Sequence, residues 1–175
     1  MKKDSSLMVC VVRSIIQIAF LTGLLHGCAL FGNPINNAIE LSSEKQYDKA
    51  VQLLDNVIES DASDITKAQA FMLRGKNYTS LHEYKYAYRD LQVAWKISCE
   101  IYQNYPEHKL LPKTADSNST DTKPSHSTFH PAYACVETIP ILLDNLKPFT
   151  SDFAAIMATQ EASKIIKEMF PSLPK

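Results

Sequence analysis

The sequence predicts an all-α fold, a short α-solenoid of about three helical hairpins with a long polar loop. Two segments, QYDKAV at 46–51 and EYKYAY at 83–88, match in register at an offset of 37 residues, and periods of this length are typical of stacked helical pairs. Apolar residues recur at helical spacing through the first copy, with charged residues between them. We therefore expect two repeated helix pairs, then a flexible linker at 104–131 and a divergent helical hairpin at 132–171.

Composition and charge exclude several classes of function. The chain has 18 Lys and Arg against 19 Asp and Glu, a net charge of -1, which is too balanced for a nucleic-acid-binding protein. Three of its four glycines lie within the first 32 residues, so the sequence can form neither a phosphate-binding P-loop nor a dinucleotide-binding turn. Zinc-protease, Cys-x-x-Cys and Gly-x-Ser-x-Gly motifs are absent from the sequence. We expect no catalysis, no cofactor, no metal and no nucleic-acid partner.

The N-terminal residues have the features of a secretory signal. Lys2, Lys3 and Arg13 precede a largely apolar stretch at 14–25, the order of a basic n-region and a short h-region. A membrane span is a competing interpretation, but Arg13 would then lie inside it and no basic cluster follows. A plain secretory signal and an uncleaved anchor both stay open at this point.

The residues LLHGC at 24–28 resemble a bacterial lipobox, in which an aliphatic and a small residue precede a cysteine that accepts a diacylglyceryl group. The resemblance implies that the signal peptide 1–27 is removed, that Cys28 is the lipid attachment site, and that 28–32 form a lipidated anchor. Ala29 stands where an Asp usually retains such proteins in the inner membrane. The expected location is the bacterial cell envelope, in the outer membrane facing the periplasm.

The region 33–103 carries two copies of a helical repeat. The second copy is the clearer one, with large and small residues alternating at Phe71, Gly75, Tyr78, Ala87, Leu91 and Ala94. These spacings resemble those of a tetratricopeptide repeat, in which small residues let the two helices of a pair pack closely. The first copy is degenerate, and Arg74 stands in the second copy where Leu is usual. The pattern predicts helices near 34–43, 47–60, 65–80 and 84–103.

The resemblance implies a protein-binding adaptor with no catalysis of its own. Tetratricopeptide proteins contact partners through the concave face of their first helices. By match of position, that face corresponds here to Ile35, Ile39, Ser42, Gln69, Met72, Lys76 and Thr79. The protein partner is not identified by the sequence. Two other functions stay open, a structural subunit of a larger envelope assembly (secretion, pilus or outer-membrane biogenesis) and a small-ligand-binding or enzymatic envelope protein.

An aromatic stripe runs along the fourth predicted helix. Tyr88, Trp95 and Tyr102 are each seven residues apart, so they lie on one face, with Tyr84 and Leu91 beside them. We expect the stripe to be core, because two repeats alone rarely bury a stable core. The C-terminal hairpin, whose second helix has apolar residues that include Phe153 and Ile156, would cover it. The alternative is a ligand platform, which a pocket beside Trp95 would indicate.

A disulfide is expected between Cys99 and Cys135. The chain has four cysteines, and removal of Cys10 with the signal peptide and acylation of Cys28 leave these two. They lie near the two ends of the linker, and the inferred compartment is oxidising. The alternative is a pair of ordinary buried thiols.

Overall fold

The computed structural model describes residues 32–104 and 129–173 of the 175-residue chain. The expected signal peptide, the lipid attachment site Cys28 and most of the linker lie outside these residues. Within them, 83% of the residues are helical and none lies in a strand, so the predicted all-α class is confirmed. Across the same residues there is no helix with the length and apolar character that a membrane span requires.

Four helices occupy the repeat region with bounds close to the predicted ones. They are α1 (Pro34–Ser43), α2 (Tyr47–Glu59), α3 (Asp64–Ser80) and α4 (Tyr84–Asn104). Two of them begin at a capping side chain, because Asn33 accepts a 3.0 Å hydrogen bond from the Ile35 amide and Ser63 a 3.3 Å bond from the Thr66 amide. The helix starts are therefore set by local sequence as well as by packing.

The turn between α1 and α2 and the turn between α3 and α4 have the same backbone geometry. Lys45 and His82, which are 37 residues apart, both have a φ of 62°, the left-handed conformation that often ends a helix. In each turn the amide of the following residue donates to the carbonyl five residues earlier, at 2.8 and 2.9 Å. The repeat offset in the sequence thus corresponds to a repeated backbone conformation.

Two further helices follow the linker. The first, α5, spans 131–146 and is irregular, with a short α-helical turn (Pro131–Tyr133), a π-helical stretch (Ala134–Thr138) and a regular α-helix (Ile139–Leu146). The π-helical stretch comes just before Pro140, which has no amide hydrogen to donate to the preceding turn. A 3-10 turn (Lys147–Phe149) leads to α6 (Asp152–Met169).

Helix α4 lies at the centre of the fold. Helices α3, α5 and α6 all pack against it, while α2 packs on α3 and α1 on α2. Cys135 meets Cys99 near the end of α4, and Phe149 stacks on Tyr84 at its start with ring centres 5.1 Å apart. The chain from 135 to 149 therefore runs antiparallel to α4. Helix α6 packs chiefly against α4, and any packing against α5 is slight, so the C-terminal pair is not a tightly packed hairpin.

The described residues from Asn33 onward belong to one compact unit. Its hydrophobic core draws on all six helices, and its largest fully buried apolar side chains are Phe71, Leu54, Leu91, Ile97, Ile139, Leu146 and Val93. Helices α3 and α4 approach each other closely at Gly75, where an added Cβ would lie 2.9 Å from Leu91 Cγ. With a core of its own, this unit meets the criterion for a domain that folds independently.

Candidate functional site

Three of the seven positions expected to form a concave partner-binding face line one small pocket. Ile39, Ser42 and Lys76 line a pocket of about 270 Å³ between α1 and α3. Ile35 lies in the core with 3% of its surface exposed. Three other positions do not line this pocket, and they are Gln69, Met72 and Thr79.

A polar pair, Ser42 and Asn77, is part of the lining of this small pocket. The Ser42 hydroxyl lies 2.8 Å from Asn77 Oδ1, and Asn77, which is buried, donates from Nδ2 to the Leu73 carbonyl at 2.9 Å. Both side chains thereby lock α1 onto α3.

Arg74, the departure from the repeat pattern, is buried in an ion cluster that joins α2, α3 and α4. Its Nε donates to Asp90 Oδ2 at 2.6 Å and its Nη2 to Asp90 Oδ1 at 3.1 Å, and Nη1 bonds to Asp55. Asp90 is fully buried and also accepts a 2.8 Å bond from Arg89 Nε. Sequence reasoning missed this cluster, although a charged residue at a position normally occupied by Leu was a signal for a buried partner.

The electrostatics of this cluster point to a structural role. Burial acts to lower the pKa of Arg74, but the charge of Asp90 and the hydrogen bonds to Asp90 and Asp55 outweigh burial and leave the pKa raised. The arginine therefore stays charged at every pH at which the protein is folded. A permanently protonated, fully paired guanidinium does not donate or accept protons in a reaction, so the cluster supports the fold.

The aromatic stripe on α4 is not the continuous core element that the sequence analysis expected. Leu91 is buried, but Trp95 is 42% exposed, and its indole Nε1 donates to the Cys135 carbonyl at 2.8 Å. The stripe's three tyrosines, Tyr84, Tyr88 and Tyr102, are only partly buried. The physical reason is that α5 and α6 both pack on α4 but leave Trp95 incompletely covered.

A cleft of about 910 Å³ lies beside Trp95, between α4 and α6. Its α4 wall consists of Gln92, Trp95 and Lys96. Its α6 wall and far end consist of Thr159, Ala162, Ser163, Ile166, Lys167, Phe170, Pro171 and Leu173. At one end, Gln92 Nε2 donates to Thr159 Oγ1 at 3.0 Å and ties the two helices together. The pocket beside Trp95, which would indicate a ligand platform, is therefore present.

Sequence reasoning missed the α6 wall of this cleft. Thr159, Ser163 and Lys167 are each four residues apart and so form one polar stripe on an amphipathic helix. Such stripes ordinarily face solvent, and only the packing of α6 on α4 shows that this one borders a cleft.

A disulfide joins the two cysteines that flank the linker. Cys99 and Cys135 have an S–S distance of 2.01 Å and a Cα–Cα distance of 4.9 Å, so the structure brings the expected pair together. Trp95 lies one helical turn before Cys99 and bonds to the Cys135 carbonyl. The disulfide and this hydrogen bond therefore hold the start of α5 against α4 at the edge of the cleft.

An exposed apolar corner lies where the 3-10 turn leads into α6. Phe149, Phe153 and Ile156, which we call the apolar corner, are 62%, 74% and 57% exposed. The expectation that the apolar residues of this helix cover the aromatic stripe is therefore wrong for Phe153 and Ile156, because α6 buries the small residues Ala158 and Ala162 against α4 instead. Five of the seven exposed large hydrophobic residues in the described chain therefore lie after residue 135.

Histidine, cysteine and acidic side chains in the described residues are the candidates for a metal site. Within 32–104 and 129–173, no group of three or more His, Cys, Asp or Glu side chains could hold a metal ion. His130 serves as the cap of α5, where its Nδ1 accepts a 3.3 Å hydrogen bond from the Ala132 amide.

No family model matches this chain, and no curated protein or solved structure matches it either. The resemblance to tetratricopeptide repeats therefore rests on the residues quoted above.

Proposed function

We propose that this chain is a lipid-anchored adaptor of the bacterial cell envelope that binds a protein partner and has no catalysis of its own. In this proposal two tetratricopeptide-like repeats and the C-terminal helices form a short solenoid, tethered through Cys28 to the outer membrane. The observation that carries the partner-binding function is the apolar corner at Phe149, Phe153 and Ile156.

The repeat arrangement is supported by the backbone. The equivalent turns at Lys45 and His82 lie one repeat offset apart and share φ values and hydrogen bonds. The close approach at Gly75 is the contact that the repeat pattern requires between the helices of one pair. Solenoids of this kind present extended surfaces to partners.

The case for a protein partner rests on the free-energy cost of exposing the apolar corner to water. Soluble monomers rarely leave large apolar side chains grouped on the surface, and aromatic residues are enriched where protein interfaces form. Val136 and Ile141 on α5 are also more than half exposed. Together these residues make the C-terminal helices the most apolar exposed part of the described chain.

The membrane tether rests on the sequence at 24–28. Acylation there would anchor the protein and leave 33–175 free to reach a partner in the periplasm, since two or more acyl chains suffice for stable anchoring. If the partner is bound permanently, this chain is a structural subunit of a larger envelope assembly.

Site-specific photocrosslinking tests the adaptor function. A photoreactive phenylalanine analogue replaces Phe153 on the apolar corner or, as a matched control, Gln160 on the exposed surface of the same helix. We expect a covalent adduct with one distinct protein from position 153 and none from position 160. Adducts only with other copies of this chain, or no adduct at position 153, would contradict the proposal.

The cleft beside Trp95 favours ligand binding as a second function. It is independent of the apolar corner, since none of the three corner residues lines it.

A further inference from the structure

We propose that the cleft between α4 and α6 binds a free, single-chain amphiphile with an anionic head group, such as a long-chain carboxylate. This function goes beyond the binding of a protein partner at the apolar corner.

The size and walls of the cleft fit a small molecule. Its volume of about 910 Å³ lies within the range of about 300–1,000 Å³ typical of small-molecule sites. The side chains of Ile166, Phe170 and Leu173 supply an apolar surface, and the indole of Trp95 stands on the opposite helix. Because the indole N–H is already bonded to the Cys135 carbonyl, the ring offers the cleft apolar surface.

The hydrogen bonds along the cleft favour an alkyl chain over a peptide. Gln92 Nε2 donates to Thr159 Oγ1, Thr159 Oγ1 donates to the Ala155 carbonyl at 2.8 Å, and Ser163 Oγ donates to the Thr159 carbonyl at 2.8 Å. These donors are therefore already occupied within the protein. Both long walls are helices whose backbone groups bond internally, so they offer no edge to an extended peptide. An alkyl chain requires no hydrogen bonds at all.

The charged side chains that line the cleft favour an anionic head group. Lys96 and Lys167 line the cleft from opposite helices, and no Asp or Glu is among the described residues that line it. Lys96 is paired with Glu100, one turn further along α4. Lys167 makes no ion pair with any residue in the described parts of the chain, so its ammonium is available to an anionic head group.

The chain's one tryptophan provides the assay. Trp95 is the only Trp in the sequence and lies on the cleft, so its fluorescence reports occupancy. The unit 33–175, which has its own core, is titrated below the micelle concentration with octanoate, decanoate and dodecanoate. We expect affinity to rise about fourfold per added methylene, the gain that burial of one CH₂ gives. Dodecyltrimethylammonium, of the same chain length and opposite charge, is expected to bind at least tenfold more weakly than dodecanoate.

Matched variants locate the site. Lys167→Glu is expected to weaken dodecanoate binding at least tenfold, whereas Lys164→Glu, the same charge change outside the cleft lining, leaves it within twofold. Ser163→Phe, which fills the cleft from a surface position, is expected to abolish binding without lowering the melting temperature. The variants are compared only where their far-UV circular dichroism matches that of the wild type.

Three outcomes would overturn this inference. The first is the absence of any saturable signal from dodecanoate, and the second is equal binding of the cationic amphiphile. The third is a signal only from phosphatidylglycerol vesicles and not from free dodecanoate, which would make the surface a membrane contact. None of these outcomes bears on the photocrosslink at position 153, so failure of this inference and failure of the adaptor function are distinguishable.

Discussion

Replacing Arg74 by Leu, the residue usual at this repeat position, tests whether the buried ion cluster holds three helices together. The substitution removes two hydrogen bonds to Asp90, at 2.6 and 3.1 Å, and the ion pair with Asp55. Asp90 would remain fully buried, and Arg89 would be its one remaining cationic partner among the described residues. A fully hydrophobic consensus repeat is therefore expected to be less stable in this chain than the natural sequence.

The expected loss of stability in Arg74→Leu follows from the burial of the Asp90 carboxylate. Breaking one partner of a buried ion pair costs about 3–5 kcal/mol, chiefly because the remaining charge is left unpaired. Since Arg89 Nε still lies 2.8 Å from Asp90 Oδ1, we expect the lower end, about 3 kcal/mol. That is a large share of the roughly 5–15 kcal/mol by which a domain of this kind is stable.

A double-mutant cycle measured by urea unfolding provides the assay. The cycle comprises Arg74→Leu, Asp90→Asn and the double variant, and the coupling free energy is expected to be at least about 1.5 kcal/mol because each single change leaves the other partner unpaired. The matched control is Asp144→Asn, which removes a partner of Lys147 in an ion pair whose side chains are both 70% exposed and should have no measurable effect. The reasoning would be refuted if the losses in free energy of unfolding of the two single variants simply added in the double variant, or if Arg74→Leu were as stable as the wild type.

Three further predictions concern packing, the disulfide and the lipid. Gly75→Ala should destabilise the unit by up to about 2 kcal/mol in urea unfolding, because the steric cost of a Cβ 2.9 Å from Leu91 Cγ exceeds the gain in helix propensity; a stabilised variant would contradict this. Cys99→Ser with Cys135→Ser should cost about 4 kcal/mol, the loop entropy for a sequence separation of 36, and unreduced wild-type protein should have no reactive thiol at these two positions. Metabolic labelling with a fatty-acid analogue should mark the wild type and not Cys28→Ser, and equal labelling would exclude the lipid anchor.

The repeat helices could be predicted closely because their signal is local. Residue types recur at an offset of 37, Asn33 and Ser63 cap helices whose first turns follow at once, and Gly75 marks a close contact between α3 and α4. Each of these features acts within one helix or between neighbours in the chain. The observed bounds of α1 to α4 therefore lie within about one residue of those expected from the pattern.

The binding surfaces could not be predicted because they depend on which helices meet. A seven-residue spacing places Trp95 on one face of α4, but three helices pack on α4 and the spacing does not say where they leave a gap. The apolar spacing of α6 includes Phe153, yet the face that packs on α4 is the one with Ala158 and Ala162. Arg74 and Asp90 lie 16 residues apart on different helices, so their pairing follows only from the tertiary fold.

The size of the native complex tests the adaptor function most directly. Phe153→Asp removes the most exposed apolar side chain, which is 74% exposed, and an acidic residue in the first turn of α6 is compatible with the helix dipole. In membranes solubilised from cells that make the chain, we expect the wild type and Gln160→Asp to migrate in a complex with a second protein, and Phe153→Asp to migrate as a single chain. A wild type that migrates alone, or a complex that Phe153→Asp leaves intact, would contradict the proposed binding function.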